Sequence, residues 1–92
     1  MSGQVIHLAD ENRFVINIDN AQAILSYDIL LGTPRNRCNF NSTFVPNELR
    51  GIGLAEKLVR HGLRWAKSQD LQIEASCWYV QKFLTPYIEQ PK

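Results

Sequence analysis

Apolar and polar residues alternate through the first half of the chain. Phe14, Ile16 and Ile18 fall against Val15, Asn17 and Asp19, a period of two that predicts a strand. Asp19-Asn20 follows; both residue types tolerate positive φ, so a tight hairpin is expected. Alternation resumes from Ala21 to Leu31, with Ala23, Leu25, Tyr27 and Ile29 on one face and Gln22, Ser26 and Asp28 on the other. Gly32 to Arg37 reads as a polar loop. A further strand is expected from Cys38 to Val45, ended by Pro46, which has no N–H for a sheet ladder. Val5 to Leu8 carries a weaker strand signal.

The period then changes. From Gly51 to Ser68 an apolar stripe of Ala55, Val59, Gly62, Leu63 and Ala66 recurs at helical spacing, flanked by Leu54, Leu58 and Trp65. Glu56, Lys57, Arg60, His61, Arg64 and Lys67 take the other side, which places His61 in solvent. Gln72 to Cys77 alternates again, and Trp78 to Leu84 reads as a short helix stopped near Pro86. The fold class is therefore α+β (α/β): an antiparallel β-meander, then strand–helix–strand, then a short C-terminal helix. The helical crossover is expected to set strands 38–45 and 72–77 parallel, with right-handed connection. No repeat, low-complexity tract or linker interrupts residues 1–92, so a single domain is expected.

Composition narrows the function classes. Hydrophobic residues make up 45% and charged residues 21% of the 92, as in an ordinary globular protein rather than a disordered one. The formal charge of +1 supplies no global field for nucleic acid or an anionic membrane. Two cysteines are too few for a disulfide scaffold. They fall at opposite ends of two parallel strands, so no disulfide between Cys38 and Cys77 is expected. Residues Met1 to Asn12 lack the basic start and apolar run of a signal peptide, and no apolar stretch reaches the ~20 residues of a membrane span. A soluble, cytoplasmic protein is the expectation.

The most informative segment joins the two halves. Val45-Pro46-Asn47-Glu48-Leu49-Arg50-Gly51-Ile52-Gly53-Leu54-Ala55 runs from a strand end through two glycines into a helix. Unpaired N–H groups at a helix start, with the positive end of the dipole, make an anion site, and glycines let a phosphate approach the backbone. The plainer alternative is that Gly51 and Gly53 only form the turn. A dinucleotide-binding fingerprint fails because Glu56 stands where its third glycine or alanine belongs, and a Walker A loop fails because no Gly-Lys-Ser/Thr follows.

Arg50-Gly51-Ile52-Gly53-Leu54-Ala55 matches the R/Q-x-x-G-x-G/A signature of the GNAT acyltransferase superfamily, with a strand before it, an amphipathic helix after it and a parallel strand next. Residues 43–51 together with Cys77-Trp78-Tyr79-Val80 resemble more narrowly the short, stand-alone GNAT-like N-acetyltransferases, and the resemblance covers residues 13–85 in element order. It implies acetyl-CoA as co-substrate and no metal. The pantetheine arm would pair with the backbone of Thr43, Phe44 and Val45, where two strands splay apart. The pyrophosphate would sit on Arg50, Gly51, Ile52, Gly53, Leu54 and Ala55. A neutral primary amine would attack the thioester, backbone N–H groups would hold the oxyanion, and a nearby acid would protonate the departing thiolate.

Two residues are candidates for that chemistry. Cys77 lies where the resemblance puts the thioester; it is either a covalent acyl carrier, a donor beside the CoA sulfur, or a buried small residue in step with Ile73 and Ala75. Tyr79 is either the acid for the thiolate or an aromatic packing residue, with Trp78 beside it narrowing the pocket. Ser42 departs from the pattern: short members often carry His there, and serine is no base near neutral pH unless activated. That departure raises a rival, a CoA-binding module with little turnover. A second rival is a small RNA-binding α/β domain using Arg60, Arg64 and Lys67; near-neutral charge weighs against it, and a solvated face with Glu56 and Arg60 paired explains those residues equally. A monomer or weak homodimer is expected, and the acceptor amine is not encoded in any motif.

Overall fold

The computed structural model describes residues 4–88, with side chains described as far as Phe83. Five strands form one sheet in the order β1-β2-β3-β4-β5: β1 is Val5–Leu8, β2 Arg13–Ile18, β3 Ala21–Leu30, β4 Arg37–Phe44 and β5 Gln72–Ala75. The first four strands are antiparallel, and β4 and β5 run parallel, as the crossover requires. The β2–β3 hairpin turns at Asp19, whose φ of 53° lies in the left-handed region that aspartate tolerates. This is the small α+β architecture expected of the element order.

Helix α1, Leu54–Ser68, buries Leu54, Leu58, Val59, Gly62, Leu63 and Ala66. The sheet presents Phe14, Ile16, Ala23, Leu25, Tyr27, Cys38 and Phe40 to the same core. Complete burial of each large apolar side chain contributes about 1.5–3 kcal/mol, which makes this interface the main source of stability. Gly62 lets the helix settle on the sheet: a Cβ there would stand 2.9 Å from Leu25 Cδ2 and 3.0 Å from Phe40 Cε1. The helix closes with Leu71 N–H donating to the Ala66 carbonyl and Asp70 N–H to that of Lys67, Asp70 taking the left-handed conformation that glycine usually supplies.

Helix α2, Trp78–Ile88, adds Val80 to the core and continues two residues past Pro86. The sequence reading ended this helix near Leu84; a proline forfeits one N–H, and so close to a helix end that leaves little of the ladder to lose. The opposite sheet face mixes polar residues such as Ser26 and Asp28 with an apolar cross-strand row of Ile6, Val15, Ile24 and Phe44, in which Val15 is buried and Ile6 and Phe44 are exposed.

His61 corrects the sequence reading. It is half-buried, its ring edge-on to Phe14 at 5.6 Å between centroids, rather than solvated. His7 stacks on Phe14 at 4.1 Å and bonds Tyr27 Oη through Nε2 at 2.6 Å. Burial is the main cause holding both imidazoles below their ordinary pKa, with His61 adding to the effect at His7 and Arg64 at His61.

Candidate active site

The site begins with one extra residue. Opposite β3, the register of β4 runs Ser26↔Ser42 and then Tyr27↔Phe40, so Asn41 is a bulge. A bulge bends its strand and switches which side chains face the core. Before it, Cys38 and Phe40 face inward; after it, Thr43 does, paired with the buried Leu25. Ser42 and Phe44 turn to the opposite face, where Phe44 is 52% exposed.

The same point ends the pairing with β5. Parallel register holds from Arg37↔Gln72 to Phe40↔Ala75 and goes no further. The Phe40 carbonyl makes the last ties, accepting from Ser76 N–H at 3.2 Å and Cys77 N–H at 3.3 Å. Beyond it the two chains part. β4 runs on to Phe44, and the other chain turns through Cys77 into α2, with the Cys77 carbonyl accepting from Gln81 N–H.

A groove fills the parting. One hollow of about 380 Å³ is lined by Thr43, Val45, Arg50, Ala55, Cys77, Trp78 and Tyr79. A second, of about 350 Å³, shares Val45, Arg50, Ala55 and Tyr79 and extends along Gly51, Gly53 and Leu54 to the start of α1. There Gly51 and Gly53 have φ of 84° and 80°, conformations that side chains rarely adopt. A Cβ on either would meet nothing within 4 Å, so backbone conformation, not crowding, demands glycine, and the space above stays open. Gly53 caps α1 with no side-chain hydrogen bond, and the first helical bond joins Lys57 N–H to the Gly53 carbonyl. The N–H groups of Leu54, Ala55 and Glu56 therefore precede the helical ladder and point out of the helix start. Glu56 in the first turn is engaged by Arg60 at 2.7 Å. Arg50 Nε donates to the Val45 carbonyl at 2.8 Å, which fixes the loop and keeps a cation on the groove wall.

Cys77 and Tyr79 line the same hollow and have pKa values shifted in opposite directions. The Cys77 Sγ lies 3.6 Å from Thr43 Oγ1. Burial raises its pKa, but donation from the Val80 N–H, the Thr43 hydroxyl and the Tyr79 and Thr43 N–H groups outweighs that, and the net shift is downward. The pKa of Tyr79 is raised, first by burial and then by the Glu56 carboxylate. Tyr79 therefore stays protonated and suits hydrogen-bond donation better than proton transfer.

Of the residues expected from sequence, Thr43, Val45, Arg50, Gly51, Gly53, Leu54, Ala55, Cys77 and Tyr79 line this groove. Phe44 and Ile52 line neither hollow, and both side chains are exposed. Leu49 and Glu56 line it without having been singled out for it; Leu49 is apolar in a polar loop, the one sequence signal it gave. Ser42 faces away from Cys77. Arg60, Arg64 and Lys67 border a separate hollow of about 240 Å³ with Leu63 and Ile73. At 1.5 Å per residue, Arg64 lies ~15 Å along the axis from the helix start. Cys38 is core, its thiol pushed up to about 12 by burial, with Asp28 adding. Both cysteines are free thiols. Among the described residues, no cluster of His, Cys, Asp or Glu has a metal-binding arrangement, and no helix is long and apolar enough to cross a membrane.

Comparison with known proteins decides the family. The sequence profile of the GCN5-related N-acetyl-transferases matches residues 13–90. The chain belongs to that family. Protein NATD1 of Gallus gallus is 28% identical over 83 residues, covering 88% of this chain and 73% of that protein. Protein NATD1 of Bos taurus shows 28% identity over the same share of this chain and 71% of its own, and that of Homo sapiens 26% with 71%. The matched span takes in β2 through α2, so bulge, parting, glycine loop and Cys77 all lie inside the GCN5-related N-acetyltransferase region. Acetyl transfer is the general chemistry that this membership supports.

Proposed function

We propose that the chain binds acetyl-CoA along the parting of β4 and β5 and moves its acetyl group to a primary amine. The observation that carries this reading is the continuity of the groove, from the open helix start to the Thr43–Cys77 contact. The residues fit such a ligand. The amides of Leu54, Ala55 and Glu56, with Gly51 and Gly53 leaving space above them, suit a pyrophosphate, and Arg50 adds charge beside it. The strand from Thr43 to Val45, released from β5, offers backbone groups to an amide-bearing arm. The Val45 carbonyl already accepts from Arg50, so Thr43, Phe44 and the Val45 N–H carry that pairing.

Acetyl-CoA supplies an activated acyl group. This chain's residues orient it and handle charge: backbone N–H groups at the parting hold the oxygen that becomes negative, and the Thr43 and Tyr79 hydroxyls donate toward a departing sulfur. Cys77 gives a second reading. Its lowered pKa favours a nucleophilic thiolate, which makes a covalent acyl-Cys77 carrier an alternative to direct transfer. Two free thiols suit a reducing compartment such as the cytoplasm.

Thermal unfolding with acetyl-CoA tests the reading. At 100 times Kd the ligand adds ~2.7 kcal/mol, a clear rise in Tm. No shift at saturating acetyl-CoA removes the proposal. Where the shift is present, intact mass chooses the route: an acetyl adduct absent from Cys77→Ala marks the carrier, and CoA release to amines without an adduct marks direct transfer.

A further inference from the structure

We propose that Lys82 is a self-acetylation site of this protein. The inference rests on the reading above that acetyl-CoA occupies the groove.

The geometry is a lysine held over the groove wall. Trp78 and Lys82 are i and i+4 on α2, and Tyr79 and Lys82 are i and i+3, so all three share one helix face. Lys82 Nζ lies 5.0 Å from the Trp78 ring centroid and 4.9 Å from that of Tyr79. Both distances fall within the ~6 Å over which an ammonium is attracted to an aromatic ring. Those two rings stand edge to face at 6.1 Å and both line the hollow that contains Cys77 and Thr43. Trp78 is 69% exposed, so the pair forms a lip at the solvent edge rather than part of the core. The amine of Lys82 is thus tethered to the two rings that line the hollow where the acetyl thioester is expected. A tether of this kind makes the reaction intramolecular, and a well-oriented intramolecular partner outcompetes amines free in solution.

The step balances without any further reactant. The Lys82 ammonium first gives its proton to water. The neutral Nζ attacks the thioester carbonyl carbon, the C–N bond forms and the C–S bond breaks. The thiolate leaves and takes up one of the two Nζ protons to become free CoA, and the other Nζ proton is retained on the amide. The product carries no charge, so its attraction to the Trp78 and Tyr79 rings is lost. Modification would therefore release the lip that Lys82 now covers.

The test uses the full chain with acetyl-CoA at a concentration where the Tm rise is complete, followed by peptide mapping over time. Lys82 is expected to gain one acetyl group at least about tenfold faster than Lys57 or Lys67. The rate per chain is expected to be independent of protein concentration. Lys82→Arg keeps the cation over the rings; it should lose the modification and retain the Tm rise. Loss of the ammonium on acetylation should also change the Trp78 fluorescence in parallel with the mapped adduct. A normal Tm rise with Lys82 unmodified overturns this inference alone, as does modification no faster than at Lys57 and Lys67, or at a rate proportional to protein concentration. Absence of the Tm rise overturns the acetyl-CoA reading and this inference with it.

Discussion

Cys38 and Cys77 lie on the same two adjoining strands' ends and live opposite lives. Cys38 sits where β4 and β5 are paired, one residue after the register begins, completely buried, its thiol pushed up to about 12. Cys77 sits where the pairing ends, its N–H making one of the last hydrogen bonds to β4, half-buried, its thiol lowered below the ordinary value. Burial opposes ionisation at both. The difference is the donors: at the parting, N–H groups of Tyr79 and Val80 and the hydroxyl of Thr43 turn toward the sulfur, and in the paired region the backbone is committed to the ladder. The comparison teaches that ending a β-ladder, which frees donors to turn toward the sulfur, is what lowers the Cys77 thiol here.

The sharpest way to break that comparison is to alkylate the two thiols. A completely buried thiol pushed up to about 12 is almost wholly protonated at pH 7, and a half-buried one lowered by hydrogen-bond donors carries more thiolate, so Cys77 should react far faster than Cys38. Iodoacetamide labelling with peptide mapping reads this, and equal rates in the folded protein would refute it. The pH dependence has a definite sign. Cys38, an acid with a raised folded pKa, contributes stability that is full below 9, its ordinary value, and lost as pH climbs toward about 12. Cys77, with a lowered folded pKa, contributes stability that is full above 9 and fades as pH falls through its folded value.

A change where α1 seats on the sheet tests how far the parting depends on that packing. Gly62→Ala is that change, because its new methyl would press on Leu25 and Phe40, at 2.9 and 3.0 Å from the nearest atoms. Overpacking of this kind costs about 2 kcal/mol, and better helix propensity returns about 1. A net loss near 1 kcal/mol is expected by urea denaturation, with the Cys77 alkylation rate unchanged. A variant as stable as the parent would show that α1 can lift from the sheet at no cost, and that the helix start is not rigidly placed.

Much of this was legible from periodicity. The alternation of Phe14, Ile16 and Ile18 and of Ala23, Leu25 and Tyr27 gave the correct inward faces, and the stripe through Leu58 and Ala66 gave the helix. The glycine loop marked the open helix start that forms one end of the groove. What sequence alone does not carry is the bulge. Cys38, Phe40, Ser42 and Phe44 keep one parity along the chain, which would point Ser42 and Phe44 inward. Only the pairing with β3 reveals that Asn41 is an extra residue and that Thr43 takes the inward place. The lip of Trp78, Tyr79 and Lys82 was hidden for a related reason. Their spacing is ordinary for a helix, and its meaning comes from where α2 ends up beside the parting.

The smallest expected effect tests the finest part of the comparison, the contribution of one hydroxyl. Thr43→Val keeps the β-branched shape that suits β4 and removes only Oγ1. Its contact with Cys77 Sγ is long, at 3.6 Å, and sulfur is a weak acceptor, so the bond is worth about 0.5 kcal/mol. The thiolate should lose a little support, its pKa should rise, and alkylation of Cys77 at pH 7 should slow about twofold. The N–H groups of Val80 and Tyr79 remain, so the profile should still fall below that of an ordinary thiol. Under the acetyl-CoA proposal the same variant should bind that ligand nearly as well, because the strand would pair with it through backbone rather than side chains. If instead the Cys77 profile moved fully to the ordinary thiol range, Thr43 alone would be responsible for the activation, and the open backbone at the parting would have no share in it.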